Sequence, residues 1–150
     1  LRSKAWLTRK HKDLPPCHAG SLAKFLREFR DEPFADFIEM TGAAIKSGME
    51  CTRWHAHDLL MEELLFLTDI RRQLGERDEE YEVNRERIRL ALRKHVDQQS
   101  VYFEQELIQM PHRHDIFDPE SGLTLRVHFA EDKDSCRIII GKVEEINRAY

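Results

Sequence analysis

The stretch that decides the fold runs from Pro111 to Glu145 and reads PHRHDIFDPESGLTLRVHFAEDKDSCRIIIGKVEE. Three segments, at about 112–118, 123–130 and 136–143, are predicted to be β-strands, and the middle one shows the alternation of apolar and polar residues that is typical of a half-buried strand. The links between the segments are short and rich in turn-forming residues. Because short links join antiparallel neighbours, the sequence predicts a C-terminal antiparallel sheet of about three strands.

The last two of these strands differ in how many apolar faces they have. In the middle strand, Arg126 and His128 share the outer, polar face. In the third strand, Ile138 and Ile140 point one way and Ile139 points the other, so both faces are apolar. Each large apolar side chain left in water forgoes about 1.5–3 kcal/mol. We therefore expect the second face to be covered, either by another part of this chain or by a partner protein.

The region before the sheet, at about 20–110, is predicted to form a helical bundle of about four helices. Ser21 precedes a stripe of apolar residues with helical spacing, which comprises Leu22, Phe25, Leu26 and Phe29. The second helix is expected at 33–48 and the third at 52–74. The third helix is apolar over most of its circumference, which is typical of a helix packed on several sides.

The fourth predicted helix, at about 79–110, is too long for a compact domain of this size. About 30 residues at 1.5 Å each span roughly 45 Å, whereas a 150-residue domain has a diameter of roughly 40 Å. The helix must therefore kink, break or project, and its weakest stretch is 95–100. A projecting helix favours a homodimer or a protein partner.

The composition fits one α+β domain at 20–150 that follows a basic leader at 1–19. The chain has 150 residues, 41% of them hydrophobic and 35% charged, and its net charge is −4. An acidic balance disfavours nucleic-acid binding over the whole surface but allows a local basic patch. The three cysteines lack C-x-x-C spacing, and no apolar run approaches the roughly 20 residues of a membrane span. These features predict a cytoplasmic protein with reduced thiols and no membrane partner.

Two pairs of histidines have the H-x-H spacing that would suit a metal ion. His112 and His114 share a face of the first strand because they are two residues apart. His55 begins the second pair, and Cys51 stands four residues before it. Zinc takes four nitrogen or sulfur ligands in a tetrahedron. Cys51, His55, His112 and His114 would hold zinc if the two segments met; otherwise they are helix-cap and strand-edge residues.

The segment from Arg89 to His95 reads RLALRKH, with five residues between the arginine and the histidine. It resembles the R-x(4–6)-H motif of the HEPN ribonucleases. In that family the pair lies at a dimer interface and cuts RNA without a metal ion. The resemblance covers seven residues and implies Arg89 and His95 as catalytic residues.

The C-terminal stretch is also similar to the sheet of RelE-type ribosome-dependent toxins, which presents basic residues to RNA. The shared pattern is LRVHF at 125–129, followed by a hairpin and CRIIIG at 136–141. This resemblance implies Arg126 and His128 as the residues that act on RNA.

Two functional hypotheses follow. The first is an intracellular protein–protein interaction module, oligomeric, that docks through the long helix and the partly uncovered sheet. The second is a toxin-like ribonuclease that cuts RNA by acid–base chemistry, which histidine suits near neutral pH. Its catalytic residues would be Arg89 and His95 or, failing these, Arg126 and His128.

Overall fold

A computed structural model describes residues 21–30, 38–132 and 137–146. The predicted basic leader at 1–19 lies outside these residues, and the assignment of 20–150 to a single domain stays a prediction. Within the described residues the chain forms α1 (Leu22–Arg30), β1 (Ile38–Met40), α2 (Gly42–Gly48), α3 (His57–Glu76), α4 (Glu79–Ala91), β2 (Gln99–Phe103), β3 (Glu106–Met110), β4 (His112–Phe117), β5 (Thr124–Asp132) and β6 (Arg137–Ile146).

The α+β class is confirmed, but the prediction of a three-stranded antiparallel C-terminal sheet is wrong. The main sheet has four strands in the order β1-β6-β5-β4. The three C-terminal strands are antiparallel, as expected, and β1 joins them in parallel through the pairs Ile38–Ile138 and Met40–Ile140. The mostly helical N-terminal part of the chain thus contributes the strand β1, which the sequence pattern did not predict.

The helix expected at 33–48 is wrong in its described part, where β1 and α2 replace it. Thr41 separates the two elements. Its Oγ1 accepts a hydrogen bond from the Ala44 backbone N–H at 3.0 Å and donates one to the Ile140 carbonyl at 2.7 Å. Thr41 therefore caps α2 and ties β1 to β6 at once, which a continuous helix could not do.

The first and third predicted helices are confirmed with shifted ends. In α1 the predicted apolar stripe is buried, and Ser21 Oγ accepts from the Lys24 backbone N–H. In α3 the start moves to His57, because the backbone N–H groups of Arg53 and Trp54 donate to Glu145 Oε1 at 2.8 and 2.9 Å. That contact holds the residues before α3 beside β6.

The long fourth helix is wrong. Asp78 caps α4, which ends at Ala91 after 13 residues, and a two-stranded sheet of β2 and β3 follows. The turn between these strands places Glu104 and Gln105 at φ values of 50° and 69°, the left-handed pair that suits a two-residue hairpin. The break therefore lies near the weak stretch, but a hairpin and not a second helical segment comes after it.

The β2–β3 hairpin covers the second face of the main sheet around Ala130 and Ile139. Val101 and Met110 from the hairpin pack against Ala130 and Ile139 to form a small core, and all of them are buried. The other face packs against the helices in the large core, which includes Leu125, Val127, Phe129, Ile138 and Ile140. This chain therefore itself covers the apolar outer face of β6 at Ile139.

The turn between α3 and α4 is held by one buried arginine. Arg72 is 9% exposed and forms two hydrogen bonds with Asp69, both of 2.8 Å. It also bonds Glu76 at 2.6 Å and Glu80 at 2.9 Å. One guanidinium thus joins carboxylates from both helices, a bidentate geometry that a lysine could not reproduce.

We expect Gly141→Ala to destabilise the fold by about 1–3 kcal/mol through overpacking. The added carbon would lie 2.7 Å from Met110 Sδ and 2.8 Å from Met110 Cγ. The double substitution with Met110→Ala should cost less than the sum of the single changes, because removing Met110 removes the clash. Urea unfolding measures all three variants. Gly42→Ala is the control, since its added carbon meets nothing within 4 Å; strict additivity would contradict the packing described here.

We expect Arg72→Met to destabilise the fold by about 3–5 kcal/mol, because it leaves the buried Asp69 carboxylate without its counter-ion. The midpoint of urea unfolding measures the loss. The matched control is Arg89→Met, which breaks an exposed ion pair with Glu86 and should change the midpoint little. Equal midpoints for the two variants would show that the α3–α4 turn does not depend on Arg72.

Candidate functional site

A basic cleft lies between the end of α4, the loop that follows it, and the edge strand β4. Its volume is about 390 Å³, a size typical of ligand sites. Four arginines and two histidines line it. The full lining comprises Arg87, Leu90, Arg93, His95, Arg113, His114, Asp115 and Arg126. We call it the arginine cleft.

The loop after α4 is fastened to the start of β4 by hydrogen bonds. The His95 backbone N–H donates to the Pro111 carbonyl at 3.0 Å, and His112 Nδ1 lies 3.2 Å from the Arg93 carbonyl. Gln98 Nε2 donates to the His95 carbonyl at 3.0 Å. These bonds place Arg93 and His95 opposite the side chains of β4.

Two of the four arginines in the cleft are neutralised and two are not. Arg126 forms a bidentate pair with Asp115, at 2.8 and 3.0 Å. Arg87 pairs with Glu63 at 2.8 Å and lies over the Phe66 ring. Among the described residues, Arg93 and Arg113 have no carboxylate partner. The cleft therefore carries excess positive charge in a protein whose net charge is −4, and it suits an anion.

His95 is held in its neutral form by its surroundings. Burial lowers the pKa of His95 below its ordinary value of 6.5, and the positive charges of Arg113, Arg93 and Arg126 lower it further. Asp115 opposes this shift without cancelling it. A neutral imidazole beside cationic groups can accept a proton at pH 7, which is what a general base requires.

His114 also lines the cleft and contacts a carboxylate. Its Nε2 lies 2.8 Å from Glu63 Oε2, and its ring centroid lies 5.7 Å from that of Phe66. Burial raises the pKa of Glu63, but the hydrogen bonds and charges of His114 and Arg87 outweigh burial and lower it. Glu63 is therefore ionised at neutral pH and acts as a hydrogen-bond acceptor only.

The arginine cleft brings together two of the four predicted catalytic residues, His95 and Arg126. Arg89 does not line it; this side chain is exposed and pairs with Glu86. His128 does not line it either, because it is 3% exposed and its Nε2 contacts Glu144 Oε1 at 2.7 Å. The outer face of the sheet is thus not exposed to solvent at His128. Neither predicted pair, Arg89 with His95 or Arg126 with His128, is found together in the cleft.

The sequence reasoning missed Arg87, Arg93 and Arg113. Arg93 lies inside the RLALRKH segment, and Arg113 stands between the two histidines of HRH. The position of Arg113 relative to Arg93 and His95 depends on bonds between residues distant in sequence, such as His112 with Arg93 and Pro111 with His95. Because 35% of the residues are charged, nothing in the sequence distinguishes these three arginines from the other charged residues.

The structure does not bring the four predicted zinc ligands together. Cys51 is buried, with its Sγ near the carbonyls of Ser47 and Val143. Burial, followed by the charge of Glu145, raises the pKa of Cys51 to about 11, which disfavours the thiolate that zinc binds. His55 instead lies beside Asp118 and Glu120. Across 21–30, 38–132 and 137–146, no three histidine, cysteine or acidic side chains could hold a metal ion jointly.

Comparisons with protein-family models, with curated proteins and with solved structures find no match for this chain. The resemblances to HEPN ribonucleases and RelE-type toxins therefore gain no support from them. None of the helices that the structure describes has the length and apolar character to cross a membrane.

We expect nuclear magnetic resonance titration to give His95 a pKa below its ordinary value, because burial and three arginines disfavour the imidazolium. Arg113→Gln should raise the pKa of His95, since it removes one of these charges. Arg89→Gln should leave it unchanged, because Arg89 lies outside the cleft. A His95 that titrates at or above 6.5, or that responds equally to both variants, would contradict the electrostatics described here.

Proposed function

We propose that this chain binds RNA in the arginine cleft and cleaves it, with His95 as the general base. The observation that carries the proposal is the convergence of four arginines on a depressed-pKa histidine in an acidic protein. Phosphate contacts from arginine dominate the affinity of proteins for nucleic acids. A cleft with two arginines lacking carboxylate partners among the described residues offers such contacts.

The chemistry needs few groups because RNA carries its own nucleophile, the 2′-hydroxyl. His95 would remove the proton of this hydroxyl as its oxygen attacks the adjacent phosphorus. The negative charge that grows on the phosphoryl oxygens would be stabilised by Arg93 and Arg113, and fixed donors of this kind supply a large part of enzymatic rate enhancement. Asp115 holds Arg126 in a bidentate geometry, so this guanidinium is positioned before the ligand arrives.

This proposal keeps the ribonuclease hypothesis and changes its residues. His95 and Arg126 are retained, whereas Arg93 and Arg113 replace Arg89 and His128. A cytoplasmic location, where such a cleft would meet cellular RNA, is part of the proposal. The three cysteines at wide spacing favour that compartment.

The interaction-module hypothesis stays a prediction, because nothing tests it. The long helix that it assumed is wrong, since α4 has 13 residues, and the hairpin covers the outer face of β6 at Ile139. The remaining feature in its favour is the pair Tyr102 and Leu107, which lie opposite each other on the outer face of the hairpin and are 73% and 60% exposed. A homodimer or a protein partner would use this pair.

We expect the purified protein to cleave single-stranded RNA in the presence of EDTA, and His95→Ala to lower the rate about 10²–10⁴-fold, the usual contribution of a general base. Arg113→Gln should weaken RNA binding and reduce its dependence on salt, because one phosphate contact is lost. Gel-resolved cleavage and fluorescence anisotropy at several salt concentrations measure these effects.

The matched controls are His55→Ala and Arg89→Gln, because both side chains are exposed and lie outside the cleft. Neither should change cleavage or binding. RNA that remains intact with the wild-type protein would remove the catalytic part of the proposal. RNA affinity that is the same in wild type and Arg113→Gln would remove the cleft as its binding site.

A further inference from the structure

Arg87 and His114, which line the arginine cleft, belong to a compact cluster that the steps above do not use. It consists of Glu63 and Phe66 from α3, Arg87 from α4 and His114 from β4. Glu63 Oε2 accepts from His114 Nε2 and from Arg87 Nη2, both at 2.8 Å. The Phe66 ring lies under the Arg87 guanidinium, 3.9 Å from its Cζ, and beside the His114 ring. His114 and Glu63 side chains are only 15% and 20% exposed.

The contact with Glu63 determines which nitrogen of His114 can exchange a proton. An ionised carboxylate only accepts hydrogen bonds, so Nε2 must carry a hydrogen. Nδ1 has no hydrogen-bond partner among the described residues. A carboxylate that fixes one nitrogen and leaves the other open is the arrangement that orients catalytic histidines. His114 Nδ1 is therefore the atom available to a ligand in the cleft.

We propose that His114 is the general acid of the RNA cleavage reaction and that Glu63 is the residue that positions it. The inference rests on the proposed function of the cleft. It adds the group that protonates the leaving oxygen and thereby identifies the bond that breaks.

The step balances without a metal ion or a co-reactant. The 2′-oxygen forms a bond to phosphorus while its proton moves to His95. The bond between phosphorus and the 5′-oxygen of the next nucleotide breaks, and its electron pair stays with that oxygen. The leaving oxygen takes the proton from His114 Nδ1. The products are a 2′,3′-cyclic phosphate and a 5′-hydroxyl, and the two histidines have exchanged protonation states.

The surroundings of the two histidines favour this division of roles. The groups around His95 are cationic: Arg93, Arg113 and Arg126. His114 instead lies 2.8 Å from the carboxylate of Glu63. One histidine thus lies among cationic groups and the other beside a carboxylate, and this difference in surroundings suits a base and an acid.

The test uses two RNA substrates that differ in one atom. The first is an ordinary dinucleotide phosphodiester, and the second has sulfur in place of the bridging 5′-oxygen. A thiolate leaves without a proton, since thiols have pKa values of about 8.5. We expect His114→Ala and His114→Gln to lose about 10²–10⁴-fold in rate on the oxygen substrate and to cleave the sulfur substrate at nearly the wild-type rate. Glu63→Gln should show the same pattern with a smaller loss.

The control is His95→Ala, which should lose activity equally on both substrates, because the 2′-hydroxyl still needs a base. Cleavage of the sulfur substrate also shows that a variant is folded, and urea unfolding checks this independently.

If wild type cleaves RNA but the His114 variants are as active as wild type, or fail on both substrates while folded, the role of His114 is overturned and the cleft remains a ribonuclease site. If wild type cleaves neither substrate, both proposals fall.

Discussion

The structure depends on one constraint: β6 is apolar on both faces and must be covered on both. Ile138 and Ile140 face the helices, and Ile139 faces the β2–β3 hairpin. Leaving either face in water would forgo about 1.5–3 kcal/mol for each large side chain. The hairpin supplies the second cover. Met110 packs directly onto Gly141, so any side chain at position 141 would collide with it.

The same packing creates the arginine cleft. Only Pro111 separates β3, which packs on the main sheet, from β4, which forms an edge of that sheet. The loop after α4 is then drawn alongside Pro111 and His112, which hold it through the backbone of His95 and Arg93. The packing of the β2–β3 hairpin on the sheet therefore both covers the sheet and helps to assemble the arginine cleft.

Local patterns predicted the elements whose residues alternate or repeat clearly. The apolar stripe of α1, the apolar centre of α3 and the alternation of β4 and β5 all lie where the sequence placed them. Hydrophobic periodicity did not predict the short segments whose structure depends on contacts with residues distant in sequence. Ile38–Met40 is a strand only because β6 lies beside it, and 99–110 is a hairpin because Val101 and Met110 meet Ala130 and Ile139. Of the four residues that the sequence suggested as catalytic, His95 and Arg126 line the arginine cleft, whereas Arg89 and His128 do not.

The sequence by itself determined the α+β class, the three antiparallel C-terminal strands and the need for a second cover on β6, because these follow from the local pattern of apolar and polar side chains. Only the tertiary structure decided what that cover is and which charges meet. Arg93 and Arg113 are 20 residues apart, and the sequence carries no local sign of their shared cleft. Long-range packing decides which charged residues lie close together. The apolar contacts that bring two segments together are made by other residues than the charged ones that end up near each other.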